Sequence, residues 1–303
     1  MTRFLAGLLA LLLSSLKLVP RAFYPALATL LAGVIRPFAG KDLARLRSNV
    51  QRIYALPPES HFSKMFEKQV FRHQLLCALE TMRAIQSPEV LTVTGFEEWS
   101  RLIKAAEDVG KGHIVVTAHL GSWELCAYFG QKAALKPFHV LAKPAKSAAV
   151  TAFLDGLRSR MGTRVLWTDK KSLLRDMLKA LRSGESVGFV MDQKPEGRQG
   201  PLVEFLGLPT EFVSGPAQMT VKTGCAAFSV FCVREGAFRY RLVSQALVPP
   251  GHAETDEAAL TQRMADVITG AIRLYPEQWT WNYKRWRDPQ PAGGHAREGF
   301  FKG

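Results

Sequence analysis

The spacing of hydrophobic residues along the chain predicts alternating helices and strands. A spacing of three and four residues, which is the helical period, predicts helices over residues 71–85, 122–129, 150–161, 174–181 and 260–271. Short continuous apolar runs predict buried strands at residues 114–118, 140–142 and 187–191. Two longer runs, at residues 226–233 and 238–247, predict a hairpin. This alternation predicts an α/β fold with a mixed central sheet flanked by helices.

The amino-terminal segment is predominantly apolar. Residues 4–16 are apolar apart from two serines, and a second apolar stretch covers residues 22–38. Each stretch is shorter than the roughly 20 residues that span a bilayer, but together they can span it once or enter one leaflet as a hairpin. We therefore expect hydrophobic membrane-anchor helices over residues 1–40, followed by basic residues that suit anionic headgroups. The alternatives are a pair of buried helices and a signal peptide cleaved near Ala26-Leu27-Ala28.

The net charge of +14 restricts the possible partners of the chain. A surplus of this size implies an anionic partner, such as nucleic acid, a phosphorylated substrate or an acidic membrane. The basic residues follow no nucleic-acid-binding motif, so we expect no nucleic-acid partner. The four cysteines form no C-x-x-C pair, and their spacing predicts neither a zinc site nor a disulfide framework. We expect no metal and no cofactor.

One segment carries candidate catalytic chemistry, Thr117-Ala118-His119-Leu120-Gly121-Ser122-Trp123-Glu124. His119 directly follows a predicted strand, so its imidazole is expected at the sheet edge, where α/β proteins bind ligands. Gly121 permits a sharp turn, Ser122 can cap the next helix, and Glu124 lies in the first turn of that helix. This geometry can fold Glu124 back against His119.

A histidine held by a carboxylate can act as a general base. Glu124 would hold one imidazole nitrogen of His119 as a donor. The other nitrogen would then take a proton from a hydroxyl that attacks an acyl carbonyl. No covalent enzyme intermediate is needed, and the chain has no G-x-S-x-G nucleophile motif. Taken alone, however, a His/Glu pair at this spacing is more often structural.

The strand followed by His-x-Gly-x-x-Glu resembles the H-x4-D or H-x4-E signature of the lysophospholipid acyltransferase superfamily. Its glutamate form, within Ala-His-Leu-Gly-Ser-Trp-Glu, resembles the lipid A biosynthesis acyltransferase family. Further blocks continue the resemblance in the same order over roughly residues 81–287: residues 177–184, 190–193, 205–207, 214–217, 223–226 and 276–286. The second of these blocks contains Asp192, which corresponds to the family's conserved aspartate.

The resemblance implies an O-acyltransferase in which His119 and Glu124 are catalytic. It implies an acyl-thioester donor, either acyl carrier protein or acyl-CoA, and a lipid A precursor or related glycolipid as acceptor. The alternatives are an acceptor such as a glycerophospholipid, ornithine lipid or other glycolipid, and a non-enzymatic membrane-binding protein. Residues 41–287 would form the acyltransferase domain and residues 288–303 a flexible tail. We expect the protein on the cytoplasmic face of the bacterial inner membrane.

Two candidate substrate-binding residues, Asp192 and Lys143, follow predicted strands, and a third, Lys171, lies just ahead of a predicted helix. Asp192 ends a strand at the same sheet edge as His119, where a role in the site and a role as a helix cap are both open. Lys143 and Lys171 stand where many members of the family have arginine. Lysine supplies the charge of arginine without its bidentate fork, so we expect the acceptor headgroup to differ from that of these relatives.

Three further candidates are basic residues in a loop and in a helix. Lys194 and Arg198 lie in a Gly/Pro-rich loop, where they can contact phosphate or carrier protein, or be solvated charges. Arg158 can contact substrate or favour the carboxyl end of its own helix. Trp279 and Trp281 lie close to basic residues, which suits a membrane interface, while core packing is equally compatible with the pattern.

Overall fold

The computed structural model describes residues 13–195 and 200–286. Its strands are β1 (Thr92–Thr94), β2 (His113–Thr117), β3 (Phe138–Ala142), β4 (Arg164–Trp167), β5 (Ser186–Val190), β6 (Leu202–Phe205), β7 (Leu208–Glu211), β8 (Ala226–Gly236) and β9 (Arg239–Val248). Seven of them form one sheet in the order β1-β9-β8-β2-β5-β3-β4, and β6 and β7 form a separate antiparallel pair. In the large sheet only β8 and β9 pair antiparallel.

Helices connect these strands and cover the sheet. They are α1 (Tyr24–Ile35), α2 (Gly40–Tyr54), α3 (His61–Gln86), α4 (Phe96–Asp108), α5 (Trp123–Ala133), α6 (Ala148–Arg160), α7 (Leu173–Arg182), α8 (Gly215–Thr223) and α9 (Glu257–Leu274). Short 3-10 turns at Arg36–Phe38 and Pro276–Gln278 precede α2 and follow α9. The predicted α/β fold, with a central sheet flanked by helices, is confirmed.

The sheet has an apolar core on each face. Ile114 and Val116 of β2 belong to a core cluster with residues of α7, α8 and α9, whereas Val115 belongs to a second cluster with residues of α4 and α5. Successive residues of a strand point to opposite faces, so a strand covered on both sides needs a continuous apolar run. This explains why the run at residues 114–118 predicts β2 so clearly.

The predicted long elements are observed, and several short ones were not predicted. The three predicted buried strands are β2, β3 and β5, the predicted hairpin is β8 with β9, and the predicted helices lie within α3, α5, α6, α7 and α9 or differ from them by one or two residues at an end. The hydrophobic pattern did not predict β1, β4, the β6–β7 hairpin or the helices α2, α4 and α8.

Helix α1 lies partly within the folded structure. Tyr24 and Ala28 are fully buried in the second core cluster, while Leu30 is 65% and Val34 58% exposed on the other side. Among the described residues, no single helix has the length and hydropathy of a membrane span. The helical stretches Arg21–Phe38 and Gly40–Tyr54, which meet at 97°, have them together, by length and composition only. The anchor predicted for residues 1–40 therefore stays a prediction, and the predicted tail, residues 288–303, lies outside the described residues.

Candidate active site

The loop between β2 and α5 is fixed by backbone hydrogen bonds. The Gly121 N–H donates to the carbonyl of Gln278 at 3.0 Å, and the Ser122 N–H donates to the carbonyl of Cys232 at 2.9 Å. Gly121 has a φ of +60°, and a Cβ at this position would lie 2.2 Å from the Cys232 oxygen. Only glycine fits here, because it tolerates positive φ and lets two backbones approach closely. The predicted sharp turn at Gly121 is therefore observed.

The imidazole of His119 is held by Asp192. Asp192 Oδ1 lies 2.8 Å from His119 Nδ1, and Oδ2 accepts hydrogen bonds from the His119 backbone N–H at 3.0 Å and from Trp279 Nε1 at 2.8 Å. The two side chains meet because β2 and β5 are parallel neighbours, with Thr117 opposite Val190. His119 and Asp192 each come two residues after these partners, at the carboxyl edge of the sheet.

The protonation states of this pair follow from their surroundings. Burial alone would raise the pKa of Asp192, but the charge and hydrogen bonds of His119 and the bond from Trp279 hold it below its usual value. An ionised Asp192 can only accept a hydrogen bond, so the neutral imidazole carries its hydrogen on Nδ1 and donates it to Asp192. Burial alone would lower the pKa of His119, whereas the charge and hydrogen bond of Asp192, with the charge of Glu124, raise it. Nε2 of His119 is therefore a basic lone pair.

Three side chains surround the ring of His119. Trp123 contacts it edge to face with centroids 5.0 Å apart, and the ring of Tyr283 lies nearly parallel to it at 6.4 Å. The Gln193 amide nitrogen lies 3.3 Å from His119 Nε2. The His119 side chain is 21% exposed and that of Asp192 is 3% exposed. Nε2 therefore lies on the accessible side of the pair, where a substrate hydroxyl can replace the amide.

The predicted contact between Glu124 and His119 is wrong, because Glu124 binds Arg158 instead. Arg158 Nε donates to Glu124 Oε2 at 3.0 Å and Nη2 donates to Oε1 at 2.5 Å. In the described part of the chain no hydrogen bond joins Glu124 to His119. The physical reason is that a guanidinium offers a carboxylate two charge-assisted bonds, whereas a neutral imidazole offers one. Arg158, at the end of α6, therefore reaches the site through Glu124.

The three predicted lysines lie near the same sheet edge. Lys143 directly follows β3, and Lys171 lies in the connection between β4 and α7; both are exposed. Lys194 follows β5 and pairs with Glu211 of β7 at 3.5 Å. Arg198 lies outside the described residues. The structure therefore brings His119 together with Asp192, and Glu124 with Arg158, while these lysines occupy the surrounding edge.

Trp279 and Arg285 belong to a sequence block that resembles the family, but nothing in the sequence linked them to His119. Trp279 is 1% exposed and donates its indole N–H to Asp192, so it packs in the core and not at an interface. Arg285 is also 1% exposed, and its guanidinium lies over the rings of Phe205 at 5.2 Å and Phe212 at 4.6 Å. Burial lowers the pKa of Arg285 to about 10, and the charge of Asp192 opposes this shift.

The sequence is similar to those of known acyltransferases. The chain matches the family model of bacterial lipid A biosynthesis acyltransferases over residues 1–288. A phosphatidylinositol mannoside acyltransferase of Mycolicibacterium smegmatis (strain ATCC 700084 / mc(2)155) is 24% identical over 254 residues, covering 80% of this chain and 79% of the relative. The enzyme of the same name from Mycobacterium tuberculosis (strain CDC 1551 / Oshkosh) is 24% identical over 255 residues, covering 80% and 76%. The chain thus belongs to the bacterial lipid A biosynthesis acyltransferase family and is an acyltransferase.

Proposed function

We propose that this acyltransferase moves a fatty acyl chain from a thioester to a hydroxyl of a phosphorylated glycolipid, with His119 as general base. The observation that carries the proposal is the orientation of His119. Its Nδ1–H donates to a buried carboxylate while Nε2 is directed to the accessible side. A histidine held in one tautomer by a carboxylate is the arrangement that general-base catalysis requires.

The reaction needs one proton to move twice. His119 Nε2 takes the proton of the acceptor hydroxyl as its oxygen attacks the thioester carbonyl, which forms a tetrahedral oxyanion. The oxyanion collapses with cleavage of the carbon–sulfur bond, and the imidazolium returns the proton to the leaving thiolate. Asp192 stabilises the imidazolium through Nδ1, so the interaction strengthens as the transition state develops. We therefore give Asp192 a positioning role rather than the predicted contact with substrate.

The Glu124–Arg158 pair holds a guanidinium in a fixed orientation, bound to a carboxylate whose charge acts on His119. Two bonds to Glu124 use Nε and Nη2 of Arg158, and the pair is partly exposed, 16% for Arg158 and 26% for Glu124. The third guanidinium nitrogen, Nη1, is oriented by this pairing. We assign it to an anionic oxygen of the substrates, either the developing oxyanion or the acceptor headgroup. Glu124 then contributes to catalysis by holding Arg158 and through its charge near His119.

A phosphorylated glycolipid is the acceptor class that the charges support best. Lipid A precursors and phosphatidylinositol mannosides both carry sugar hydroxyls and phosphate. Lys143 and Lys194 lie at the edge of the sheet beside His119, where they can bind phosphate oxygens. Acyl carrier protein as donor, and a position on the cytoplasmic face of the inner membrane, belong to the same proposal. Both partners are anionic, which suits a chain of net charge +14.

The test of the base is the variant His119→Ala, with His252→Ala as a matched control on an exposed loop. Loss of a general base is expected to lower turnover by roughly 10²–10⁴-fold without changing thermal unfolding. Glu124→Gln is expected to have a smaller effect, because the glutamine oxygen can still accept a hydrogen bond from Arg158, although the second bond and the charge are lost. Near-normal transfer by purified His119→Ala would remove His119 from this role.

The acceptor is tested in parallel with a phosphorylated lipid A precursor, a phosphatidylinositol mannoside, a lysophospholipid and an ornithine lipid. Transfer to either phosphorylated glycolipid supports the proposal. Transfer confined to the lysophospholipid or the ornithine lipid would discard the proposed acceptor and leave His119 in its role. Lys143→Ala should raise the KM of the glycolipid more than it lowers kcat, because contacts to a non-reacting headgroup are shared by ground and transition states.

A further inference from the structure

Helix α7 presents a row of basic side chains to solvent. Arg175 and Lys179 lie four residues apart on α7, Arg182 follows one turn later, and Lys171 precedes the helix by two residues; all four are exposed. Leu174 lies among them and is 51% exposed. The one acidic residue within the helix, Asp176, accepts a hydrogen bond from Ser172 Oγ at 2.7 Å and lies 3.9 Å from Arg175 Nε, so three of the four cations have no acidic partner within the helix, all of which the structure describes. The α7 face, defined here as these four cations and Leu174, is therefore strongly positive with an apolar centre.

The α7 face begins at the edge of the sheet that carries the site. The helix follows β4 and leads into β5, so its first turn lies at the carboxyl edge, where His119 follows β2 and Asp192 follows β5. Met177 and Leu181, on the inner side of α7, belong to the core cluster that also contains residues of α8 and α9. The face therefore extends away from the site on the α7–α9 side of the sheet.

The apolar surface of α1 is separate from the α7 face. Tyr24 and Ala28 of α1 belong to the cluster formed with α4 and α5, whereas Met177 and Leu181 of α7 belong to the other cluster. A membrane that covers the exposed Leu30 and Val34 of α1 therefore leaves the α7 face to a different anionic partner, and a soluble acidic protein is such a partner.

We propose that the α7 face is the docking surface for an acidic, helical acyl carrier protein. The proposal rests on the proposed function, since such a carrier would deliver the thioester. Cations around one exposed leucine match an interface with a charged rim and an apolar centre. A carrier bound at the start of α7 would have its thioester arm at the sheet edge that holds His119. Lys171 thereby contributes to binding of the donor.

The test is the charge reversal Arg175→Glu/Lys179→Glu, compared with Arg101→Glu/Lys104→Glu on exposed positions of α4. A labelled bacterial holo-acyl carrier protein is titrated with each protein, so that binding is measured without turnover. Like charges across an interface are strongly unfavourable, so we expect at least about tenfold weaker binding for the α7 variant and little change for the α4 control. Increasing salt should weaken carrier binding of the parent protein and reduce the difference.

Turnover measurements with two donors distinguish docking of the carrier protein from the acyl-transfer reaction. With acylated carrier protein as donor, kcat/KM of the α7 variant should fall at least about tenfold, while transfer from acyl-pantetheine, which has no protein surface, should be unchanged. Unaltered carrier binding by the α7 variant would overturn the proposal, as would loss of binding to anionic phosphatidylglycerol vesicles in its place. Absence of transfer from any thioester by the parent protein would count against the proposed function, and the binding titration would still decide the docking surface.

Discussion

At the scale of single residues, the geometry of the site depends on which side chain each of its two carboxylates binds. Asp192 takes Nδ1 of His119, and Glu124 takes the guanidinium of Arg158. Both carboxylates raise the pKa of His119, but only Asp192 fixes its tautomer. The motif alone predicts that Glu124 holds the imidazole of His119. Asp192 holds it instead, because the side chain that a strand-end residue contacts depends on which strand lies beside it.

Asp192→Asn should change both the rate and its pH dependence. The charge and hydrogen bond of Asp192 raise the pKa of His119, and a general base works only when unprotonated. The activity of the parent should therefore fall as pH decreases through a value above about 6.5. In the variant the pKa of His119 falls, so this acidic limb should move to lower pH, and kcat should fall by roughly 10²–10⁴-fold because the tautomer is no longer fixed.

The measurement is kcat/KM between about pH 5 and 9, which reports ionisation in the free enzyme. Asp266→Asn, on the exposed side of α9, is the matched control and should leave the profile in place. An acidic limb that stays where it is in Asp192→Asn, or moves to higher pH, would contradict the role of Asp192.

At the scale of elements, local pattern predicted the long elements and missed the short ones. Strands buried on both faces show as continuous apolar runs, and this is why β2 and β5 were found. Strand β1 has only three residues and β4 has four, so no period can be read from them. The order of strands in the sheet has no local signal, and the pairing of His119 with Asp192, 73 residues away, depends on it.

The β2–α5 loop is the element that gives His119 its position. Gly121→Ala adds a Cβ that would meet the Cys232 oxygen at 2.2 Å, in addition to the cost of positive φ. Gly251→Ala is the matched control, because Gly251 has a φ of +80° with nothing within 4 Å of the added Cβ.

We expect the control to lose about 1–2 kcal/mol of unfolding free energy and to keep its activity. Gly121→Ala should lose more, and its kcat should fall because the loop must move away from β8. Urea unfolding and acyl transfer measure the two effects. Equal stability and activity in the two variants would show that the loop tolerates a side chain.

At the scale of the whole molecule, the two proposed partners have separate surfaces. Helix α1 packs against α3, and the buried Glu67 of α3 binds Arg36 at the end of α1 and Arg47 of α2. The outer side of α1 is left apolar, and Phe38 just beyond it is 87% exposed. Helix α7, which carries the cations, is anchored in the other core cluster. A lipid acceptor and an acidic donor could thereby reach the carboxyl edge of the sheet without competing for one surface.

The outer side of α1 should bind membranes, and Leu30→Glu/Val34→Glu is the variant that tests this. Burying a leucine or valine side chain contributes roughly 1.5–3 kcal/mol, so losing two should weaken binding to vesicles containing anionic lipid by at least about tenfold. Val109→Glu/Leu202→Glu replaces exposed apolar residues elsewhere, 47% and 72% exposed, and should bind as the parent does. Vesicle sedimentation measures binding, and thermal unfolding checks that each variant folds. If the α1 variant sediments with vesicles as the parent does, another part of the chain binds the membrane. The proposed separation of the membrane-binding surface on α1 from the carrier-binding α7 face is then wrong.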